Sequence, residues 1–230
     1  MAPADRTTAE TRPVEVPLGA ARLRGDLALP RAASGLVVFA HGSGSSRHSP
    51  RNQFVARVIA RRSLATLLID LLTPAEERID VRTAEYRFDI PMLAERLVSI
   101  VDWLREQPDT ARLPIGFFGA STGGGAALMA AAARPREIAA VVSRGGRPDL
   151  AGAALPKVAA PTLLIVGGHD EPVIEMNRDA MGQMRCEVAL EIVPGATHLF
   201  EEPGTLERVA ALAADWFDKY LRSGGSSRRP

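Results

Sequence analysis

The chain has 230 residues, 46% hydrophobic and 24% charged, which is enough for one large core and ordinary for a globular protein. Its 28 basic and 27 acidic residues leave a formal charge of +1, so no global field draws nucleic acid or an anionic membrane, and such binding would need a local patch. The single cysteine, Cys186, excludes an intramolecular disulfide and reads as a packed small hydrophobe, and no run approaches the ~18 apolar residues of a membrane span.

Residues 1–12, MAPADRTTAETR, are polar and lack the apolar segment of a secretory signal. They read as a flexible tail, and a cytoplasmic location follows by default. Two short strand-like pieces flank Leu18-Gly19-Ala20 between Val14 and Leu29, as in a hairpin. Leu36 to Ala40, LVVFA, is a continuous apolar run suited to a buried strand, and it stops at HGSGSS, residues 41–46. Ser49-Pro50 supplies a cap and a first-turn proline for a helix with Phe54, Val55, Val58 and Ile59 at helical spacing.

Leu64 to Asp70 is the next buried strand, and the charged stretch from Leu71 to Arg87 after it has no clear period. Leu93, Leu97, Ile100, Val101 and Leu104 form a helical stripe closed by Pro108. Then comes PIGFFGASTGGGA, residues 114–126, an apolar run ending at Gly119-Ala120-Ser121-Thr122-Gly123 with an Ala-rich helix at once behind it. A strand that reverses into a helix so abruptly brings backbones close together, and Gly119 and Gly123 remove side chains that would collide. Ser121 stands at the apex, as in the G-x-S-x-G nucleophile elbow.

Ile138 to Val142 is another strand, followed by SRGGRP, residues 143–148, and PTLLIVGGHDEP, residues 161–172, is a further strand and turn. Val188, Leu190 and Ile192 alternate with Glu187, Ala189 and Glu191, the pattern of a half-exposed strand near a sheet edge. Leu206, Val209, Ala213, Trp216, Phe217 and Tyr220 make a final amphipathic helix, and SGGSSRRP, residues 223–230, is a second tail. Strand alternating with helix predicts an α/β fold, one domain over residues 13–222, with a mainly parallel sheet of about eight strands covered on both faces. There is no internal repeat and no domain linker.

Ligands of open parallel sheets bind beyond the carboxyl ends of the strands. Ser121, Asp170 in GGHDEP and His198 in GATHLF arrive at that rim in the order Ser, Asp, His. HGSGSS at 41–46, GASTGGG at 119–125, GGHDEPV at 167–173 and GATHLF at 195–200 together resemble the α/β-hydrolases, and within them the short form of the dienelactone hydrolase-like branch, over nearly all of residues 14–222. Dienelactone hydrolases proper carry a cysteine nucleophile at the elbow, where this chain has Ser121. The lactone substrate is therefore not carried over, and the resemblance implies a serine hydrolase of small esters or thioesters.

A serine hydroxyl needs an adjacent base, which is assigned to His198, with Asp170 orienting its imidazole. The backbone N–H of Thr122 is one oxyanion donor by the geometry of the elbow, and the resemblance implies Ser43 as the second. Each residue has a plainer reading too: Ser121 as a helix cap, Asp170 as a turn residue, His198 as a surface histidine. Glu171 is the competing acid, His41 shapes the oxyanion loop, and His48 and His169 read as structural or solvated.

Only 161 − 148 = 13 positions separate Pro148 from Pro161, too few for a folded cap domain, so the site is expected to be open, with its upper wall made by loops, chiefly Leu71 to Arg87. Arg47, Arg51 and Arg144 stand near strand ends facing it. Arg144 either favours a substrate bearing a carboxylate or phosphate, or braces its own turn or meets Asp149.

No cofactor is expected. HGSGSS lacks the third glycine of G-x-G-x-x-G, GASTGGGAA has no P-loop lysine, and the four histidines have no metal-ligand spacing. The partner is a small-molecule ester or acyl compound, with no nucleic acid and no membrane, and the oligomeric state is left open. Peptidase, thioesterase or perhydrolase activity on the same triad stays open, as does a low-turnover binding or regulatory module, because relatives in the branch can be fused to a phosphoribosyltransferase domain.

Overall fold

A computed structural model describes residues 10–223. The chain opens with a hairpin, β1 (Glu10–Leu18) and β2 (Ala21–Leu29), turned at Gly19-Ala20, where Gly19 takes φ +56°. Then follow β3 (Leu36–Ala40), α1 (Pro50–Ala60), β4 (Ala65–Ile69), α2 (Pro74–Thr83) and α3 (Ile90–Glu106). After these come β5 (Ile115–Ala120), α4 (Thr122–Ala133), β6 (Ile138–Arg144), β7 (Thr162–Gly167), α5 (Glu171–Gln183), β8 (Val188–Val193) and α6 (Thr205–Ser223). The segment between β6 and β7 is filled by two short 3-10 turns over Pro148–Lys157, kinked at Gly152, and carries no folded cap.

The strands make one eight-stranded sheet in the order β1-β2-β4-β3-β5-β6-β7-β8. β1–β2 and β2–β4 pair antiparallel, and every pair from β4 across to β8 is parallel. The continuous apolar runs occupy the middle: every residue of β3, β5 and β7 is buried, because helices cover both faces. α3 and α4 pack one face with Val38, Phe117 and Val141, whereas α1 and α6 pack the other with Phe39, Phe118 and Val142. The fully buried Phe39 and Phe118 rings meet with centroids 4.9 Å apart, each burial contributing about 1.5–3 kcal/mol. β8 is the half-exposed edge expected of its alternation, and α6 turns its apolar face inward, with Trp216 Nε1 donating to the Pro161 carbonyl at 3.3 Å.

Four expectations need correcting. The first strand begins at Glu10 rather than after a tail ending at residue 12, since Glu10, Thr11 and Arg12 pair with Leu29, Ala28 and Leu27, and Arg12 meets Asp109 at 3.0 Å. A polar outermost strand has no hydrophobic signature to announce it. α6 likewise continues to Ser223; residues 1–9 and 224–230, the rest of the two expected tails, lie outside the described residues. The stretch after β4, expected to be loop, contains α2, capped by a reciprocal pair in which Glu76 N donates to Thr73 Oγ1 and Thr73 N donates to Glu76 Oε2. The turn after GGHD runs straight into α5, with Pro172 in its first turn.

Backbones press together where α4 leaves β5. A Cβ on Gly119 would stand 2.5 Å from Gly124 Cα, and one on Gly123 would stand 2.6 Å from the His41 carbonyl oxygen and closer still to that of Ala40. Both obstacles are backbone and cannot swing away. Gly123→Ala should therefore cost at least ~3 kcal/mol, the upper part of the range for overpacking, read as a fall in the urea midpoint at unchanged slope.

Candidate active site

Ser121 follows β5 and takes φ 50° and ψ −123°, a conformation that side-chain-bearing residues rarely adopt. Its neighbours enforce it. Ser121 N donates to the Arg144 carbonyl at 3.2 Å, while Ser121 O accepts from Gly124 N at 2.9 Å and from Arg147 N at 3.1 Å. Although Ser121 occupies the cap position of α4, its side chain makes no capping hydrogen bond. The plainer reading of this serine as a helix cap thus lacks the bond that would define it.

His198 and Asp170 are joined: Nδ1 of His198 lies 2.7 Å from Oδ2 of Asp170, whose side chain is mostly buried. A carboxylate accepts, so the ring donates through Nδ1 and leaves Nε2 for a second partner. Glu171, the competing acid, is an exposed residue in the first turn of α5. The histidine loop is tied from beneath by Glu202, which accepts from Thr197 N at 3.1 Å and Thr197 Oγ1 at 2.6 Å, and Phe200 is sunk in the core.

Ser121 and His198 both abut the turn that follows β6. Arg144 accepts from Ser121 N, and a Cβ on Gly145 would lie 3.6 Å from His198 Cε1. A direct Ser121–His198 hydrogen bond is not among the contacts of the described residues; such bonds often tighten only when substrate arrives.

Of the two expected oxyanion donors, Ser43 N is engaged within the protein. Ser43 N donates to Thr122 Oγ1 at 2.9 Å, linking the loop after β3 to the first residue of α4. Thr122 N stands at the start of α4, where the helix dipole favours negative charge. His41 fixes this loop from behind. Its Nε2 accepts from Leu71 N at 2.9 Å, so the ring proton is on Nδ1, 2.9 Å from the Gly42 carbonyl that receives it. Burial pushes the His41 pKa below its ordinary value and outweighs the opposing hydrogen bond to Gly42 and the charges of Asp70 and Glu77.

The upper wall is α2 and the turn after it, not an irregular loop. Arg96 of α3 is clamped to Glu76, with Nη2–Oε1 at 2.5 Å and Nη1–Oε2 at 2.9 Å, and also donates to the Leu71 carbonyl. Asp80, 1% exposed, accepts from Tyr86 N at 2.8 Å, Arg87 N at 2.9 Å and Arg87 Nε at 2.6 Å. Burial works against the charged form of Asp80, but these bonds outweigh it and hold the carboxyl below its ordinary value. Glu77, Arg87 and Leu93 thereby line a narrow cleft shared with His41, Ser43 and Thr122. The sequence placed the wall at Leu71 to Arg87 but missed that it is helical, and the signal was Thr73-Pro74-Ala75-Glu76, a capping box with proline in the first turn.

Of the three arginines near the rim, Arg47 is bound to Asp70 and lies 3.3 Å from Asp26, and Arg51 reaches Glu201 at 3.0 Å. Asp149 pairs with Arg147 at 2.8 and 2.7 Å rather than with Arg144. His48 and His169 are exposed. Among the described residues no group of three or more His, Cys, Asp or Glu could hold a metal, and no helix is long and apolar enough to cross a membrane.

Comparison with known proteins gives a consistent picture. Residues 35–222 match the Dienelactone hydrolase family. The chain is 60% identical to a dienelactone hydrolase from Anabaena variabilis of known crystal structure, covering 94% of this chain and 100% of that one with a TM-score of 0.92. Est1E from Butyrivibrio proteoclasticus shares the fold at 16% identity, with a TM-score of 0.76 over 90% of this chain and 98% of that one. A Mycobacterium tuberculosis protein named "Putative phosphoribosyl transferase" is 57% identical over 214 residues, 93% of this chain but 47% of its own length. The chain thus spans about half the length of the curated relatives it matches.

The neutral, buried His41 makes stability depend on pH. Its folded pKa lies below the 6.5 of the unfolded chain, so its contribution is complete above about 6.5 and is lost as pH falls through the folded value. Thermal unfolding should show a falling midpoint on acidification below about pH 6.5, and a shallower fall in His41→Gln.

Proposed function

Because the chain belongs to the dienelactone hydrolase family, we propose that it is a serine hydrolase that cleaves small carboxylic esters or thioesters through an acyl-enzyme. Ser121 Oγ attacks the acyl carbonyl while His198 Nε2 takes its proton, and Asp170 holds the imidazole by Nδ1 and stabilises the imidazolium. The tetrahedral oxyanion is received by the N–H groups of Thr122 and Ser43, the latter exchanging its bond to Thr122 Oγ1 for the oxyanion. Collapse expels the alcohol or thiol, protonated by His198, and water then repeats the sequence with His198 as base to release the acid.

The observation that carries this reading is the 2.7 Å hydrogen bond between His198 and Asp170, at the same rim where Ser121 is held at φ 50°. The strained serine supports nucleophilic use, since a capping residue has no need of that backbone. Against a cysteine-dependent lactonase stands the only cysteine, Cys186, a half-buried residue packed against the core, whose thiol pKa burial pushes up.

A second reading, an accessory or regulatory unit of low turnover, is favoured only by the name of the longer mycobacterial relative. That name belongs to a protein of which this chain matches 47%.

A fluorophosphonate probe should label the wild-type protein at Ser121 and leave Ser121→Ala unlabelled; labelling that persists in the variant rules the nucleophile out. Wild-type protein inert toward a broad ester and thioester panel would favour the accessory reading. Ser43→Ala keeps the backbone donor and should change kcat little, whereas Ser43→Pro removes it and should lower kcat by about 10²–10³ with circular dichroism unchanged.

A further inference from the structure

Arg144 is the last residue of β6, in register with Ala120 of β5 and Ile165 of β7. Alternation along the strand sends Ser143 toward α4, where its Oγ lies against Gly124 and Gly146, and sends Arg144 to the opposite face, that of Val142, α1 and α6. There it is 7% exposed, and its Nε and Nη1 are buried without a hydrogen-bond partner.

A buried charge is retained only when something compensates it. Among the described residues no carboxylate pairs with Arg144. The acid nearest in sequence, Asp149, is held by Arg147, and the charge that Arg144 does feel is the like charge of Arg51. Burial first, and Arg51 second, push its pKa down to about 10, which still leaves the guanidinium charged at neutral pH. Arg51 is itself half-satisfied: Nη1 holds Glu201, while its buried Nε has no partner.

We infer that Arg144 and Arg51 form a subsite for an anionic group, carboxylate or phosphate, carried by the substrate. The inference rests on the proposed hydrolase reading, because it places that anion beside the acyl group that Ser121 attacks. The main chain of Arg144 accepts from Ser121 N, Gly145 abuts His198, and Arg51 reaches Glu201, three residues beyond His198. The unanswered guanidinium of Arg144 requires acceptors and negative charge together, which a carboxylate or phosphate supplies bidentately and a neutral amide or an amine does not, and Arg51, whose own charge Glu201 answers, adds an unused Nε–H donor. Arg144 differs in kind from Arg47 and Arg87, whose charges are already answered by Asp70, Asp26 and Asp80.

The test compares 4-nitrophenyl pentanoate with mono-4-nitrophenyl glutarate, esters of equal chain length that differ by a terminal carboxylate, with Ser121→Ala as the background. The ratio of kcat/KM, glutarate over pentanoate, should exceed 10 in wild type and fall at least tenfold in Arg144→Gln. It should fall by less in Arg51→Gln and stay at the wild-type value in the exposed-face control Arg57→Gln. A parallel loss on both esters overturns the subsite.

Thermal unfolding with inorganic phosphate is the second arm. Arg144→Met should melt no lower than wild type in phosphate-free buffer, because an unanswered charge is removed, and phosphate should raise the melting temperature of wild type but not of this variant. A lower-melting Arg144→Met assigns the arginine a bracing role and overturns the proposal. A phosphate shift with an unchanged ester ratio points to a free-anion site and overturns the substrate role. Fluorophosphonate labelling of Ser121 with neither ratio nor shift removes the subsite alone, whereas an Arg144-dependent shift in a protein whose Ser121 stays unlabelled supports the anion site and removes the hydrolase.

Discussion

The structure depends most on the contact between the start of α4 and the end of β3. Gly123 lies directly against the Ala40 and His41 carbonyls, and Gly119 against Gly124, so the elbow can form only where no side chain intervenes. That closeness sets how near the loop after β3 comes to the first residue of α4. With the helix pressed onto the neighbouring strand, Ser43 N comes within 2.9 Å of Thr122 Oγ1. The same backbone geometry holds Ser121 in its unfavourable conformation, with the strain offset by hydrogen bonds to Arg144, Gly124 and Arg147. Packing and chemistry are here one constraint.

From that contact a chain of hydrogen bonds runs outward to the wall of the cleft. His41 accepts from Leu71 N, the Leu71 carbonyl accepts from Arg96, and Arg96 grips Glu76 in the capping box of α2. The loop after β3 and α2 therefore share one set of supports. Glu76 is held below the ordinary glutamate pKa: burial opposes its charge, and the bonds from Arg96 and Thr73 more than compensate. A wall built in this way is shaped by fixed charge pairs. Three apolar side chains, Ile79, Val81 and Phe88, stay exposed on the same segment.

The sequence made the middle of the sheet legible and its margins less so. β3, β5 and β7 are buried on both faces and read as unbroken apolar runs, and the Ser, Asp, His order followed because parallel strands end on one rim. β1 is polar on most of its length, so only its pairing with β2 reveals residues 10–12 as strand. α2 has little apolar periodicity and buries only Asp80, so the capping residues were its one strong signal. The carboxylate pairs were less legible still. Arg147 and Arg144 are equally plausible partners for Asp149 by sequence, and only strand alternation, which turns Arg144 to the α1 face, decides between them.

Alternation also explains why a chain of nearly zero net charge can hold one strongly unbalanced spot. At the carboxyl edge Arg47, Arg87 and Arg96 are each matched by acids brought from other turns of the chain. Arg144 enters from the interior of the sheet, where its flanking strands offer Ala120 and Ile165 and the facing helix offers another arginine. Replacing it by an apolar residue would suit the local packing better than the guanidinium does. A fold that matches Arg47, Arg87 and Arg96 with acids leaves this one unmatched, its main chain bonded to Ser121. The cost of that arrangement is recovered when an anion is present to answer it.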